Sequence, residues 1–114
     1  MELNKLVCDA GILGAGGAGF PTHVKLNPPD RDATHVKINC KAEFVLANGA
    51  ECEPLLRVDQ QVMQYFAADV VRGIRAVKEF TGAKRAVICL KEHYHAAVAA
   101  LQEVLKDADD VELH

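Results

Sequence analysis

The second half of the chain alternates short apolar runs with longer segments of helical periodicity, and this order restricts the fold more than any other feature. The runs EFVLA (43–47) and KRAVICLK (84–91) predict two buried strands. Apolar residues repeat every 3.6 positions through 58–80, which predicts one long helix ended by Gly82, and again through 93–107. A strand, a helix, a strand and a helix therefore follow one another.

This order predicts right-handed crossovers and a mainly parallel sheet flanked by helices, which is an α/β fold. The final residues, VELH (111–114), look like the beginning of a third strand. Because a doubly wound sheet needs more strands, we expect residues 1–114 to form a single domain at the N-terminal end of a longer protein.

The first part of the chain gives weaker signals. Residues 3–11 predict a short amphipathic helix that unwinds at Gly11. The prolines of the polar segment 27–32 favour an extended or turn backbone, and a short strand is predicted at 35–39.

Charge and hydropathy exclude two classes of partner. The net charge is −3, and acidic and basic residues are interspersed, so no basic stripe is present to bind nucleic acid. No apolar run approaches the roughly 20 residues that span a bilayer, and the N-terminus is too short and polar for a signal peptide. We therefore expect a cytoplasmic protein without a transmembrane segment.

The cysteines predict no metal centre. They lie far apart and form no CxxC pair, so we expect free thiols, and Cys52 is expected to be a small buried hydrophobe rather than a redox thiol. A mixed metal site would match no compact ligand spacing. Its members would be His23, His35, Cys40 and Cys52.

The stretch GAGGAGFPTH (14–23) concentrates glycines in a way that a linker does not require. It satisfies G-x-G-x-x-G, but a helix precedes it where the dinucleotide-binding fingerprint needs a strand. Bare backbone N–H groups suit a flat or anionic ligand that approaches closely. The alternative is tight packing against a neighbouring strand.

Two side chains after the glycines extend this hypothesis. Phe20 would offer an aromatic platform, and Lys25 a cation for a phosphate or a flavin carbonyl. The alternatives are that Phe20 belongs to the core and that Lys25 is a solvated surface residue.

A second polar stretch, ANGAECEP (47–54), directly follows the first predicted strand. Ligands of open α/β sheets bind beyond the carboxyl ends of strands, so Asn48, Glu51 and Glu53 lie where a site is expected. In an extended segment the two glutamates would point to the same side and favour ribose hydroxyls, a ring N–H or a cation. The alternative is that both glutamates stabilise the start of the following helix.

Together, GAGGAGFPTHVKL and NGAECEPLLRVDQQVM resemble the FMN- and NADH-binding domain shared by the flavoprotein subunit of respiratory complex I and its relatives. The resemblance extends from about Asp9 to Lys106. Ala15 and Ala50 stand where complex I has arginine and aspartate, which favours the branch of the Rnf complex C subunit, the cobalamin reductase of propanediol utilisation and the electron-transfer protein of proline reductase.

The resemblance implies a modified Rossmann-like domain that binds FMN, with NADH stacked on the flavin and hydride passing to FMN. It also implies roles for nine residues. The glycines would line the nucleotides, Phe20 would stack on NADH, Lys25 and Asn48 would contact FMN, Glu51 would border the flavin and Glu53 would face NADH; the glycines are Gly14, Gly16, Gly17 and Gly19.

The resemblance further implies an NADH dehydrogenase-type oxidoreductase in the longer protein, with 4Fe-4S clusters beyond His114. Its partners would be other electron-transfer subunits or a reductase acceptor, and through such subunits it could be peripheral to a membrane. Residues 1–114 alone would be inactive. The alternative is a nucleotide-binding or docking module without redox turnover.

Overall fold

The computed structural model describes residues 3–14, 18–26 and 42–114. The predicted strand at 35–39 and the connection at 27–32 lie outside these ranges. Helices and strands follow in the order α1 (Leu3–Asp9), α2 (Thr22–Leu26), β1 (Phe44–Asn48), α3 (Val58–Tyr65), α4 (Ala67–Thr81), β2 (Arg85–Cys89), α5 (His95–Leu105) and β3 (Val111–Leu113).

The three strands form one parallel sheet in the order β1-β2-β3, which confirms the predicted α/β fold. Val45 pairs with Ala86, and Ile88 pairs with Leu113. Ala86 and Ile88 of β2 point to one face of the sheet and are buried against the helices. The main core lies between that face and the helices, and it consists of Met63, Ala67, Val71, Ile74, Ala86, Ile88, Tyr94, Ala97, Leu101, Leu105 and Val111.

The prediction that β1 is a buried strand is wrong. Val45 and Ala47 pack against the core, but Phe44 and Leu46 are 45% and 66% exposed. Successive side chains of a strand point to opposite faces, and those of Phe44 and Leu46 point away from the helices. An apolar run alone does not distinguish a strand covered on both faces from one covered on a single face.

The prediction of one long helix over 58–80 is also wrong, because the chain bends between α3 and α4. Phe66 leaves the helical conformation with φ −125° and ψ 33°. The bend lets α3 pack against α5 while α4 packs across all three strands. The apolar pattern of the sequence continues through the bend, because Met63 before it and Ala67 after it are both buried in the core. Periodicity therefore gave no sign of the interruption.

The predicted helix ends are confirmed where glycine provides them. Gly82 adopts a left-handed conformation (φ 68°), and its N–H donates to the carbonyls of Lys78 and Glu79 at the end of α4. Gly11 likewise has φ 67° just after α1. The third strand is also confirmed at Val111–Leu113.

An ion pair connects α4 to the entrance of β3. The Arg75 guanidinium donates to both carboxylate oxygens of Asp110, at 2.6 and 3.1 Å, and Lys78 Nζ donates to the Asp110 carbonyl at 2.9 Å. The hydrogen bond from Arg75 lowers the pKa of Asp110. These contacts hold the segment between α5 and β3 against α4, at the point where the chain enters the edge strand β3.

Among the helices of residues 3–14, 18–26 and 42–114, none has both the length and the apolar character needed to cross a membrane.

Candidate functional site

Residues 48–53, named here the strand-end loop, continue from the carboxyl end of β1. Asn48 Oδ1 accepts a hydrogen bond from the Ala50 N–H at 3.0 Å, which turns the chain immediately after the strand. The Gly49 N–H donates to the Cys89 carbonyl at 2.7 Å. The loop is thereby attached to the carboxyl end of the neighbouring strand β2.

Gly49 is buried, and packing rather than turn geometry requires glycine there. A Cβ at this position would lie 2.6 Å from Met63 Sδ and 3.2 Å from the Cys89 carbonyl oxygen. Met63 belongs to α3, so the close approach brings β1, β2 and α3 together. The contact with Met63 depends on a helix that lies further along the chain, so the sequence motif alone does not reveal it.

Glu51 holds the loop backbone from two sides. Its N–H donates to the Tyr94 hydroxyl at 3.2 Å, and its Oε1 accepts from the N–H groups of Cys52 and Glu53 at 3.1 and 3.2 Å. A hydrogen bond from the Leu56 N–H to the Glu53 carbonyl then curls the chain. The Glu51 carboxylate thus stabilises the conformation that presents the exposed Glu53.

The alternative that Glu51 and Glu53 stabilise the start of the next helix is wrong. Helix α3 begins at Val58, and the acidic residue in its first turn is Asp59. Sequence reasoning missed Asp59, although an acidic residue at a helix start is a recognisable signal.

The Asp59 carboxyl group lies beside that of Glu51. Burial raises the pKa of Asp59, and the charge of Glu51 and a side-chain hydrogen bond with it raise this pKa further. Two acidic side chains, Glu51 and Asp59, are therefore neighbours at the strand-end loop, and Asp59 was not among the site residues predicted from the sequence.

A small cavity of about 140 Å³ opens beside the loop. Asn48, Gly49 and Asp59 form its polar part, and its apolar lining comes from Ala47, Val62, Met63, Val70 and Ile88. Ligand pockets usually have volumes of about 300 to 1,000 Å³. The cavity can therefore supply one edge of a site for a ligand of flavin size, but it cannot enclose such a ligand.

The glycine-rich stretch is closed by its own flanking residues. The Gly14 N–H donates to the Phe20 carbonyl at 2.7 Å, and the Thr22 N–H donates to the Ile12 carbonyl at 3.2 Å. An antiparallel bridge joins Leu13 to Pro21 between them. Residues 12–14 and 20–22 thus form the neck of a loop, which we call the glycine loop.

Local geometry accounts for one of its described glycines. Gly19 has φ 56°, a conformation that suits glycine. A Cβ on Gly14 would lie 3.4 Å from the Phe20 carbonyl oxygen, which is an ordinary contact distance, so packing does not require glycine there. Gly16 and Gly17 lie outside the described residues.

Phe20 and Lys25 occupy accessible positions. Phe20 is 49% exposed, so the alternative that it belongs to the core is wrong, and Lys25 is exposed as a solvated residue would be. Among the hydrogen bonds of the described residues, none joins the glycine loop to the strand-end loop. The described hydrogen bonds therefore do not join the predicted site residues into one network.

The described cysteines Cys8, Cys52 and Cys89 are free thiols, as predicted. Cys52 is exposed, so the expectation that it would be buried is wrong; its N–H donates to the Glu51 carboxylate within the strand-end loop. Within the described ranges, no group of histidine, cysteine and acidic side chains is arranged to hold a metal ion.

A parallel sheet with a polar loop at the carboxyl end of a strand defines the class of α/β domains that bind ligands at this edge. Comparison with known families identifies the family within this class: residues 7–114 match the model of the Nuo51 FMN-binding domain. The chain belongs to this family of FMN-binding domains. The resemblance that the two glycine-containing motifs suggested is confirmed.

Individual relatives are similar over nearly the whole chain. Cobalamin reductase PduS of Salmonella typhimurium LT2 is 45% identical over 113 residues, which cover 99% of this chain and 22% of the relative. The C subunit of the Na⁺-translocating ferredoxin:NAD⁺ oxidoreductase complex of Acetobacterium woodii is 37% identical over 98% of this chain and 24% of the relative. The C subunit of the ion-translocating oxidoreductase complex of Pasteurella multocida is 34% identical, with 98% and 12% covered. The chain thus spans about a quarter or less of these relatives.

Proposed function

We propose that this chain is the N-terminal flavin-binding part of a longer electron-transfer flavoprotein that oxidises NADH. The family match supports FMN as the cofactor, and the names of the relatives describe a reductase and oxidoreductase subunits. The chemistry that FMN would supply when bound is acceptance of hydride from the nicotinamide ring and release of electrons toward iron–sulfur clusters. Those clusters would belong to the rest of the longer protein, with other electron-transfer subunits as partners.

The observation that carries this proposal is the construction of the strand-end loop. Its backbone is held by β2, by Tyr94 and by the Glu51 carboxylate, while the side chains of Asn48 and Glu53 remain exposed. An amide and a carboxylate on a fixed backbone at the carboxyl edge of a sheet fit the hydrogen-bonding groups of a flavin and a ribose.

The small cavity beside the strand-end loop also supports a pocket to which further residues of the longer protein contribute. Because its volume of about 140 Å³ is below the usual range for ligand sites, this cavity can provide only part of the flavin surface. This agrees with a domain that completes its site with further residues. The proposal therefore requires the longer protein for turnover.

The chain's own residues would divide between the two ligands. Asn48 and Lys25 would bind FMN, the glycine loop would line the nucleotides through its backbone, and Phe20 would stack on NADH. Glu53 would accept hydrogen bonds from NADH, since its carboxylate is exposed. Glu51 would border the flavin and also keep the loop in shape through its bonds to Cys52 and Glu53.

The substitution Glu53→Gln in the longer protein tests the NADH side of the site. Loss of the charge-assisted acceptor should raise KM for NADH about tenfold. FMN content should stay unchanged, because Asn48 and Lys25 are intact. Steady-state kinetics and the flavin absorbance of one preparation provide both measurements.

Glu43→Gln is the matched control, because Glu43 is an exposed glutamate just before β1, at the opposite end of the strand. It should change neither KM nor flavin content. A KM for NADH that is unchanged in Glu53→Gln would contradict the NADH role. A longer protein that retains FMN but does not oxidise NADH would instead support the module without redox turnover.

A further inference from the structure

Tyr94 is a buried polar residue to which the sequence motifs assign no role. It precedes α5, is 3% exposed and belongs to the main core. Its hydroxyl accepts the hydrogen bond from the Glu51 N–H at 3.2 Å, across 43 positions of sequence. A tyrosine that is buried to this extent needs a partner for its hydroxyl, and here that partner is the strand-end loop.

The ring and the hydroxyl of Tyr94 have separable tasks. The ring packs in the core, and the helix continues from it through the hydrogen bond from the Val98 N–H to the Tyr94 carbonyl at 2.9 Å. The hydroxyl faces the loop. Phenylalanine would keep the packing and remove only the acceptor, so the two tasks can be tested apart.

The bond to Glu51 has consequences for the rest of the loop. Once the Glu51 backbone is fixed, its carboxylate accepts the N–H groups of Cys52 and Glu53, so the position of Glu53 depends on that of Glu51. Within the described part of the chain, the bond from Gly49 to Cys89 attaches the first half of the loop. Tyr94 thus fixes the half of the loop that carries Glu53.

We propose that Tyr94 is a positioning residue for the nucleotide site: its hydroxyl holds the main chain at Glu51 and so orients the Glu53 carboxylate. The part that concerns NADH rests on the proposed function above. The part that concerns the loop backbone is independent of any ligand. Tyr94 touches neither nucleotide in this proposal and acts only through Glu51.

The first experiment measures amide hydrogen exchange in the 114-residue chain. Tyr94→Phe should accelerate exchange at Glu51, Cys52 and Glu53 by about two- to tenfold, because one hydrogen bond is lost. Exchange at the core residue Leu101 should not change. Tyr65→Phe is the matched control: Tyr65 is 70% exposed at the end of α3, and removal of its hydroxyl should leave loop exchange as it was.

The second experiment measures NADH kinetics in the longer protein. Tyr94→Phe should raise KM for NADH by about two- to tenfold while kcat changes by less than about twofold, because a displaced Glu53 weakens binding and not the hydride step. Tyr65→Phe should leave both constants unchanged. A general loss of folding would instead lower the fraction of active protein and the melting temperature.

The outcomes separate the two proposals. Unchanged exchange at Glu51 in Tyr94→Phe would overturn the positioning role, whatever the kinetics show. Faster exchange together with an unchanged KM for NADH would overturn the link between Tyr94 and the nucleotide site. A wild-type longer protein that does not oxidise NADH would contradict the proposed function, while the exchange measurement would still decide whether Tyr94 holds the loop.

Discussion

The strand-end loop and the glycine loop both contain glycine but are built differently. The strand-end loop is held by Cys89 and Tyr94, which lie about forty positions further along the chain. The glycine loop is closed by residues within ten positions of one another, through bonds from Gly14 to Phe20 and from Thr22 to Ile12. One loop depends on the assembled α/β domain, and the other depends mainly on local geometry.

This difference shows that a glycine in a motif can be required for unrelated reasons. Gly49 is needed because a helix and a strand leave no room for a side chain, whereas Gly19 is needed for its backbone angle. The strand-end loop should therefore lose its shape when the core is disturbed. The neck of the glycine loop should be less sensitive to the same disturbance.

The largest effect is expected for Gly49→Ala. The new Cβ would meet Met63 Sδ and the Cys89 carbonyl oxygen, and the latter belongs to a paired strand that cannot easily move. We expect a loss of about 1 to 3 kcal/mol in the free energy of unfolding, typical of overpacking. Urea denaturation measures this loss.

Gly73→Ala is the matched control for that substitution. Gly73 lies inside α4, and no atom would come within 4 Å of its Cβ, so alanine should stabilise the domain by about 0.5 to 1 kcal/mol. Equal denaturation midpoints for Gly49→Ala and the wild type would show that the strand-end loop does not depend on this packing.

A smaller effect of opposite sign is expected for Asp59→Asn. The pKa of Asp59 is raised in the folded state, chiefly by burial and then by Glu51, so the ionised carboxylate destabilises the fold at neutral pH. The amide should raise the melting temperature at pH 7. This advantage should decline as pH falls through the raised pKa and disappear below the ordinary value of 3.8, where Asp59 is protonated in both states.

The control for this pH series is Asp69→Asn. Asp69 is exposed in the first turn of α4 and forms an ion pair with Arg72, so the amide should slightly lower the melting temperature at pH 7. If Asp59→Asn also lowers the melting temperature at pH 7, then the ionised Asp59 carboxylate does not destabilise the fold through burial and the charge of Glu51.

The smallest effect is expected for Gly14→Ala in the glycine loop. Its Cβ would lie 3.4 Å from the Phe20 carbonyl oxygen, which is an ordinary contact distance. The free energy of unfolding should change by no more than about 0.5 kcal/mol. A loss as large as that of Gly49→Ala in the same urea experiment would remove the contrast between the two loops.

The sequence predicted those features that depend on local pattern. The parallel sheet and the helix end at Gly82 were predicted correctly, because apolar periodicity and a glycine at a helix end are local signals. The bend at Phe66 was missed because the helices on both sides of it bury apolar residues at the same 3.6-residue spacing. The direction of the chain at this point depends instead on the packing of α3 against α5.

The site was predicted less completely than the fold. The motif located the loop that carries Asn48 and Glu53, but Asp59 and Tyr94 entered only with the tertiary structure, because they approach from α3 and from the start of α5. Spacing along the chain carries no information about such approaches. A buried tyrosine next to a helix start is equally compatible with simple packing.

The central claim is that the strand-end loop forms part of an FMN site, and FMN titration of the Asn48→Asp variant tests it most directly. Aspartate keeps an oxygen that can accept from the Ala50 N–H, as Asn48 Oδ1 does, and it removes the exposed amide donor. In the longer protein, flavin fluorescence should show a Kd for FMN about tenfold weaker than in the wild type, with an unchanged melting temperature. Equal FMN affinity in the variant and the wild type would contradict the claim.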